Sequence, residues 1–238
     1  MNAIEAIRAE LFSLRDEEYR CFQSKLMPEI APETVIGVRM PALRAYAKRL
    51  FSSGRTDEFL TSLPHAYYEE NNLHMALLEQ IRDPEEALDR LETFLPYLDN
   101  WATCDSFCPK ILQKDPVRLL SRIRIWLTSP HPFTVRYGLV RLIPFLDPPR
   151  FTPEILELAA SVKRDEYYVR MAQAWFFSIA LIKQPDAAIP YLHAHKLSPW
   201  VHNKAIQKTR ESLRSTPEYR CALSELRIPI PKESEKPT

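Results

Sequence analysis

One periodic apolar run after another opens on a proline, while glycine is almost missing. The 238 residues include 21 prolines and only 3 glycines. Pro41, Pro84, Pro116, Pro132, Pro185, Pro199 and Pro217 each stand just ahead of apolar residues that recur every three to four positions. Proline fits the first turn of a helix, where its missing N–H costs no bond, and fits poorly further in. The pattern therefore predicts many short α-helices with proline-marked starts. It excludes the glycine-rich turns that bring backbone against a pyrophosphate in dinucleotide-binding and phosphate-loop enzymes. No run alternates as a half-buried strand would.

In chain order, helices are expected over 2–14, with Ile4, Ile7, Leu11 and Leu14 on one face, and over 16–27, with Tyr19, Phe22, Gln23, Leu26 and Met27. A third opens at Pro41 and carries Leu43, Tyr46, Ala47 and Leu50. Further helices are expected over 56–63, 67–81, 84–95, from Trp101, over 116–127, from Pro132, and over 153–163, 166–183, 185–195, 199–213 and 217–226. The 67–81 helix has Leu73, Ala76, Leu77 and Gln80 on its apolar side. Residues 1–228 read as a single helical domain. The charged, proline-rich stretch 229–238 reads as a disordered tail.

Three segments echo one another. Phe133-Thr-Val-Arg136, Tyr167-Tyr-Val-Arg170 and Val201-His-Asn-Lys204 recur at about 34-residue steps. A helix-pair period of that length predicts an all-α, curved α-α superhelix of the HEAT-like or ARM-like kind, with about six helix pairs. Equivalent helices of such a stack present their side chains to one concave face.

Lys and Arg total 32 and Asp and Glu 31, a formal net charge of +1. Distribution matters more than the sum. From Lys196 to Arg214 there are five basic residues and one acid, Glu211. Lys204, Lys208 and Arg210 form one candidate phosphate row, joined by Arg170 from the preceding repeat. Lys25, Arg39, Arg44 and Lys48 form a second near the N-terminus. The bland reading makes these rows solvated surface, and makes Arg136 and Arg170 a structural ladder between repeats. The four cysteines lack zinc-site spacing and read as reduced thiols of a cytoplasmic protein. The first residues do not form a signal peptide, and no stretch has membrane-spanning length. No metal or cofactor is expected.

Near the middle of the chain, Leu98 to Lys110 reads Leu-Asp-Asn-Trp-Ala-Thr-Cys-Asp-Ser-Phe-Cys-Pro-Lys. Asp99 or Asn100 can cap a helix from Trp101. Trp101, Asp105 and Cys108 then share one stripe. A carboxylate on such a stripe needs a partner or a task. Asp105 either bonds a neighbouring helix end, or lines a groove with Trp101 and acts on a cationic or polar ligand.

Trp101-Ala-Thr-Cys-Asp105, then Arg136, then Trp175 39 residues beyond that Arg, resemble the motif of the AlkD-like DNA alkylation repair family of HEAT-repeat DNA glycosylases. The loop Gly37 to Pro41 ahead of a basic helix, and the helix after Leu197-Ser-Pro, share the likeness, which covers most of residues 10–215. The resemblance implies excision of cationic N3- and N7-alkylated purines from double-stranded DNA without flipping the base into a pocket; a monomer is the default expectation for the chain. It implies that Trp101 and Trp175 pack against the deoxyribose, that Asp105 stabilises charge on the sugar and positions a water, and that Arg136 holds the adjacent phosphate. Either Arg136 or its neighbour Tyr137 can face the groove. Two other functions compete: a nucleic-acid-binding HEAT protein without excision, which needs only the basic rows, and a protein-interaction solenoid, which would favour an acidic or apolar concave face.

Overall fold

The computed structural model describes residues 2–229. Apart from one isolated antiparallel bridge, Arg15 to Val38, the regular structure among them is helical. The architecture is the expected all-α arrangement of helix pairs, of the HEAT or ARM kind. The stretch expected to be a disordered tail lies outside the described residues except for Pro229. No helix among them is long and apolar enough to cross a membrane. The chain divides into two compact units between Leu119 and Leu120.

The first unit holds α1 (Ala3–Ser13), α2 (Glu17–Leu26), α3 (Met40–Ser52), α4 (Asp57–Thr61), α5 (Tyr68–Leu78), α6 (Pro84–Phe94) and α7 (Trp101–Ser106). Helix α8 (Pro116–Trp126) crosses the boundary. The second unit continues with α9 (Pro132–Leu142), α10 (Pro153–Ser161), α11 (Tyr167–Lys183), α12 (Pro185–His193), α13 (Pro199–Glu211) and α14 (Pro217–Glu225). Prolines occupy the first turn of α3, α6, α9, α10, α12, α13 and α14, as their positions in the sequence imply. Side chains of Asn2, Asp16, Asp83, Asn100, Ser198 and Thr216 accept the free N–H groups at other helix starts or at the same ones.

Helix α5 departs from the amphipathic expectation, because all eleven of its residues are buried. Its polar residues survive burial by each having a specific partner. Glu69 accepts the backbone N–H groups of Ile36 (2.8 Å), Gly37 (2.7 Å) and Val38 (3.2 Å). Glu70 accepts from Ala66 N and Tyr67 N and pairs with Arg8 at 2.8 Å. Asn71 and Asn72 reach toward α7, described below. Gly37 has φ +94, and a Cβ there would meet Arg20 Cβ at 2.5 Å and the Asp16 carbonyl at 2.7 Å. Only glycine lets this loop close onto α2 and feed its N–H groups to Glu69.

His74 faces His65 across a 2.9 Å Nδ1···Nε2 contact. The pair is sandwiched by Phe59, stacked on His65 at 4.4 Å, and Phe94, stacked on His74 at 4.0 Å. Burial drives both imidazoles toward the neutral form, His65 to a pKa of about 4 and His74 well below its ordinary value. The unfolded chain therefore takes up a proton near pH 6.5 that the folded His65 refuses. Its contribution is present above pH 6.5 and is lost as pH falls toward 4, reaching about 3 kcal/mol. Urea unfolding at pH 7 and pH 4.5 should show a steeper acid loss in wild type than in His65→Gln. Equal losses would remove His65 from the acid sensitivity.

In the second unit, α11 packs between α9 and α13. It buries Val169, Ala172, Phe176, Phe177 and Leu181. Buried Gln173 donates to the carbonyls of Ala159 (2.7 Å) and Val162 (3.1 Å), satisfying the end of α10. The three echoing segments found in the sequence are the opening turns of α9, α11 and α13, so equivalent helices of successive repeats lie side by side.

Candidate active site and nucleic-acid interface

Asn100, not Asp99, caps α7: its Oδ1 accepts Thr103 N at 2.8 Å. Below the cap runs a buried polar chain. Thr103 donates its hydroxyl to Asn72 Oδ1 at 2.7 Å, Asn100 Nδ2 donates to Asp99 Oδ1 at 2.8 Å, and Asn71 Nδ2 reaches the same oxygen at 3.4 Å. Burial pushes the Asp99 carboxyl up. This chain ties the start of α7 to the fully enclosed α5. The other end is held as well: Arg44 pairs with Glu79 and donates to the Ser106 carbonyl at 3.2 Å, while Glu79 accepts Cys108 N at 3.3 Å.

A six-residue helix fixed at both ends thus carries Trp101 and Asp105 on one face, both half-buried. Trp101 packs against Met27, Ile30, Val35, Tyr68 and Ala102, and its indole N–H donates to the Leu26 carbonyl at 3.1 Å. The ring is therefore held in one orientation with part of its surface open. Cys108 does not share this stripe. The helix ends at Ser106 and Phe107 is extended (φ −130, ψ 141), so Cys108 lies beyond it and is buried. The residue before a proline avoids the helical region, and Pro109 is the signal for this ending.

The N-terminal basic residues are distributed over three places. Lys25 is exposed near the end of α2, and Arg44 and Lys48 share a face of α3. Arg39, just ahead of α3, donates to Asp16 Oδ2 at 2.7 Å and lies over the Tyr19 ring at 5.1 Å. Arg44 lies over the Phe107 ring at 4.7 Å besides its pairing with Glu79. Arg39 and Arg44 thus brace structure whatever else they contact.

In the second unit, Tyr137 is wholly buried beside Trp126 and under Arg141, so it belongs to the core. Arg136 is buried too, with 4% of its surface open, and donates from Nη1 to the Tyr168 carbonyl at 2.9 Å. One repeat later, Arg170 sits over the Trp200 ring at 4.9 Å. Each arginine reaches the opening turn of the next repeat, which is the ladder geometry. Lys204 and Lys208 share a face of α13. Burial lowers the Lys208 pKa, and the nearby positive charges of Lys204 and Arg136 add to that. The fold thus places Lys208 near the charges of Lys204, Glu211 and Arg136, with Glu211 opposing the two cations. Arg210, two residues past Lys208, is exposed on a different face of α13. Trp175 is half-buried on α11. Tyr168, Tyr167 and Trp200 surround the two arginines (Tyr167 to Trp200, 5.9 Å), and the spacing of the motif does not point to them. The aromatic residues at the repeat starts are the signal that would. Among the described residues, no group of three or more His, Cys, Asp or Glu is placed to hold a metal ion.

No curated protein matches the chain. A family model described as DNA alkylation repair enzyme matches residues 7–209. The match runs through both compact units and takes in Trp101, Asp105, Arg136 and Trp175. The chain belongs to the DNA alkylation repair enzyme family, and that membership supports a glycosylase-type hydrolytic activity on alkylated DNA.

Proposed function

We propose that the protein is a monomeric, cytoplasmic glycosylase that releases cationic N3- and N7-alkylated purines from duplex DNA, with Trp101, Asp105, Arg136 and Trp175 engaging the damaged nucleotide. The observation that carries this reading is the half-open face of α7, where an oriented indole and a carboxylate stand one turn apart on a helix braced at both ends. Alkylation at N3 or N7 places a positive charge on the purine, so the base leaves well without a proton donor. As the C1′–N bond breaks, its electron pair goes to the purine and neutralises it, and positive charge grows on the sugar. A fixed carboxylate stabilises that charge, and indole faces add cation–π attraction. Water then bonds to C1′ and gives up a proton. One carboxylate is enough for this chemistry, unlike the two needed by sugar hydrolases.

Arg136, buried and donating from Nη1 to the Tyr168 carbonyl, contributes positive charge beneath the phosphate in this reading. Lys204 and Lys208 extend the positive surface, and Lys25, Arg39, Arg44, Lys48, Arg170 and Arg210 supply further backbone contacts in this reading. Charge reversal of Lys204, Lys208 and Arg210 should weaken duplex binding whatever the sequence. It should also flatten the salt dependence, by about 1 unit of log–log slope for each phosphate the variant no longer neutralises. An unchanged slope would return these residues to ordinary surface. Trp175→Ala should lower both the rate of base release and the affinity, because it removes a sugar-packing surface and leaves the charges alone. A second reading, binding without excision, needs only the basic rows. In that case Trp175→Ala would lose affinity from a protein that releases no base to begin with.

A further inference from the structure

Helix α2 is turned inside out relative to simple burial. Gln23 is buried with 7% of its surface open, while Phe22 is 57% and Leu26 43% exposed. The sequence places all three on one apolar stripe together with Met27. Burial alone would select the opposite rotation, with the phenyl and isobutyl groups inside and the amide in water. What fixes the observed rotation is the amide together with Met27, one turn on and fully buried. Gln23 Nε2 donates to Tyr68 Oη at 3.3 Å and approaches Met27 Sδ at 3.6 Å. Tyr68 opens the enclosed helix α5, so the anchor is rigid. Rolling α2 to cover Phe22 would break these contacts.

The exposed face is continuous with the candidate site. Leu26 gives its carbonyl to the Trp101 indole N–H at 3.1 Å, and Met27, the next residue, belongs to the cluster on which Trp101 packs. Phe22 is one turn back along α2 from Leu26. Lys25, exposed between them in sequence, puts a cation on the same helix end. Two large apolar side chains and a cation, adjoining the indole assigned to the sugar, suit one occupant. DNA beside a lesion offers apolar sugar and base edges together with phosphates, and proteins that bend or open a duplex insert such side chains at base steps.

We infer that Phe22 and Leu26 form an apolar DNA-contacting face continuous with Trp101, which takes the sugar and base edges of nucleotides next to the damaged one. The inference rests on the proposed glycosylase reading and adds a contact site to it. Gln23 is the positioning residue that keeps the face outward.

The test uses the full chain and two duplexes, one intact and one carrying a tetrahydrofuran abasic analogue with 2-aminopurine as its neighbour. Phe22→Ser with Leu26→Ser changes exposed positions, so its melting temperature should stay near that of wild type. Its affinity for the abasic duplex should fall by about tenfold per side chain, the scale of one large apolar group returned to water. Its salt slope should stay unchanged, because every cation is still in place, whereas Lys25→Ala should reduce the slope by about 1. Wild type should raise 2-aminopurine fluorescence by unstacking it, and the double variant should not. If the double variant binds and unstacks as wild type does while wild type still releases alkylated base, the face is not a DNA contact and the glycosylase reading stands. If wild type sediments as a dimer that the double variant abolishes, with DNA affinity untouched, the occupant is a second copy of the chain and the inference is overturned. If wild type neither binds DNA nor releases base, both fall together.

Discussion

Asp105→Asn should slow release of N7-methylguanine from duplex DNA on the order of 10- to 1000-fold, the range of one well-placed electrostatic group. The side chain keeps its size and much of its hydrogen bonding, so the change isolates the negative charge. Asp105 does not attract phosphate, and affinity for the duplex should stay level or rise as a negative charge leaves the surface. This split between rate and binding separates a catalytic carboxylate from a structural one. If Asp105 only braced a neighbouring helix end, the amide would lower the melting temperature, and activity would track the folded fraction. The catalytic role is the proposed one. The start of α7 is already held by Asn100, Thr103 and Asn72, and its far end by Arg44 and Glu79.

Glu69→Ala should cost more stability than any surface change in the first unit. Three buried N–H groups, those of Ile36, Gly37 and Val38, lose their acceptor at once. Each unsatisfied donor costs about 1–3 kcal/mol, so a total loss of at least about 3 kcal/mol is expected in urea unfolding. A loss below about 1 kcal/mol would show that water replaces the carboxylate. Burial outweighs the three donors and pushes the Glu69 carboxyl up. A raised carboxyl stabilises below its ordinary range, and that contribution fades as pH rises through the folded value. Acid unfolding is thus not driven by Glu69, whereas the buried His65–His74 pair contributes to it. The loop that Glu69 holds leads directly into α3, so Glu69→Ala should also blur the positions of Arg39, Arg44 and Lys48.

Much of this is legible along the chain because the signals are local. A proline in the first turn, a capping side chain at the end of an extended residue and a three-to-four periodicity all act within one helix. They mark the helix starts from α3 to α14 and the shared face of Trp101 and Asp105. The failures have a common physical source, which is that burial is decided by neighbours far away in sequence. The apolar side expected for α5, Leu73, Ala76, Leu77 and Gln80, leaves out the run Glu69-Glu70-Asn71-Asn72, which is buried as well. Its partners are Ile36 to Val38, Arg8, Asp99 and Thr103, which no periodicity can locate. Arg39 and Arg44 read as free cations, yet their carboxylates are 23 and 35 residues away. Phe22 and Leu26 read as core for the same reason: the Gln23 anchor is Tyr68, 45 residues on. Arg136 and Tyr137 are equivalent candidates until Trp126 and Arg141 enclose the tyrosine.

The most direct measurement is free base released from duplex DNA carrying N7-methylguanine or N3-methyladenine, by purified wild type and by Asp105→Asn, against spontaneous loss in buffer. The proposed activity requires that wild type release base well above the spontaneous rate and that Asp105→Asn fall back toward it while binding the same duplex as tightly. Wild type that binds the damaged duplex yet releases no base from either lesion would contradict it.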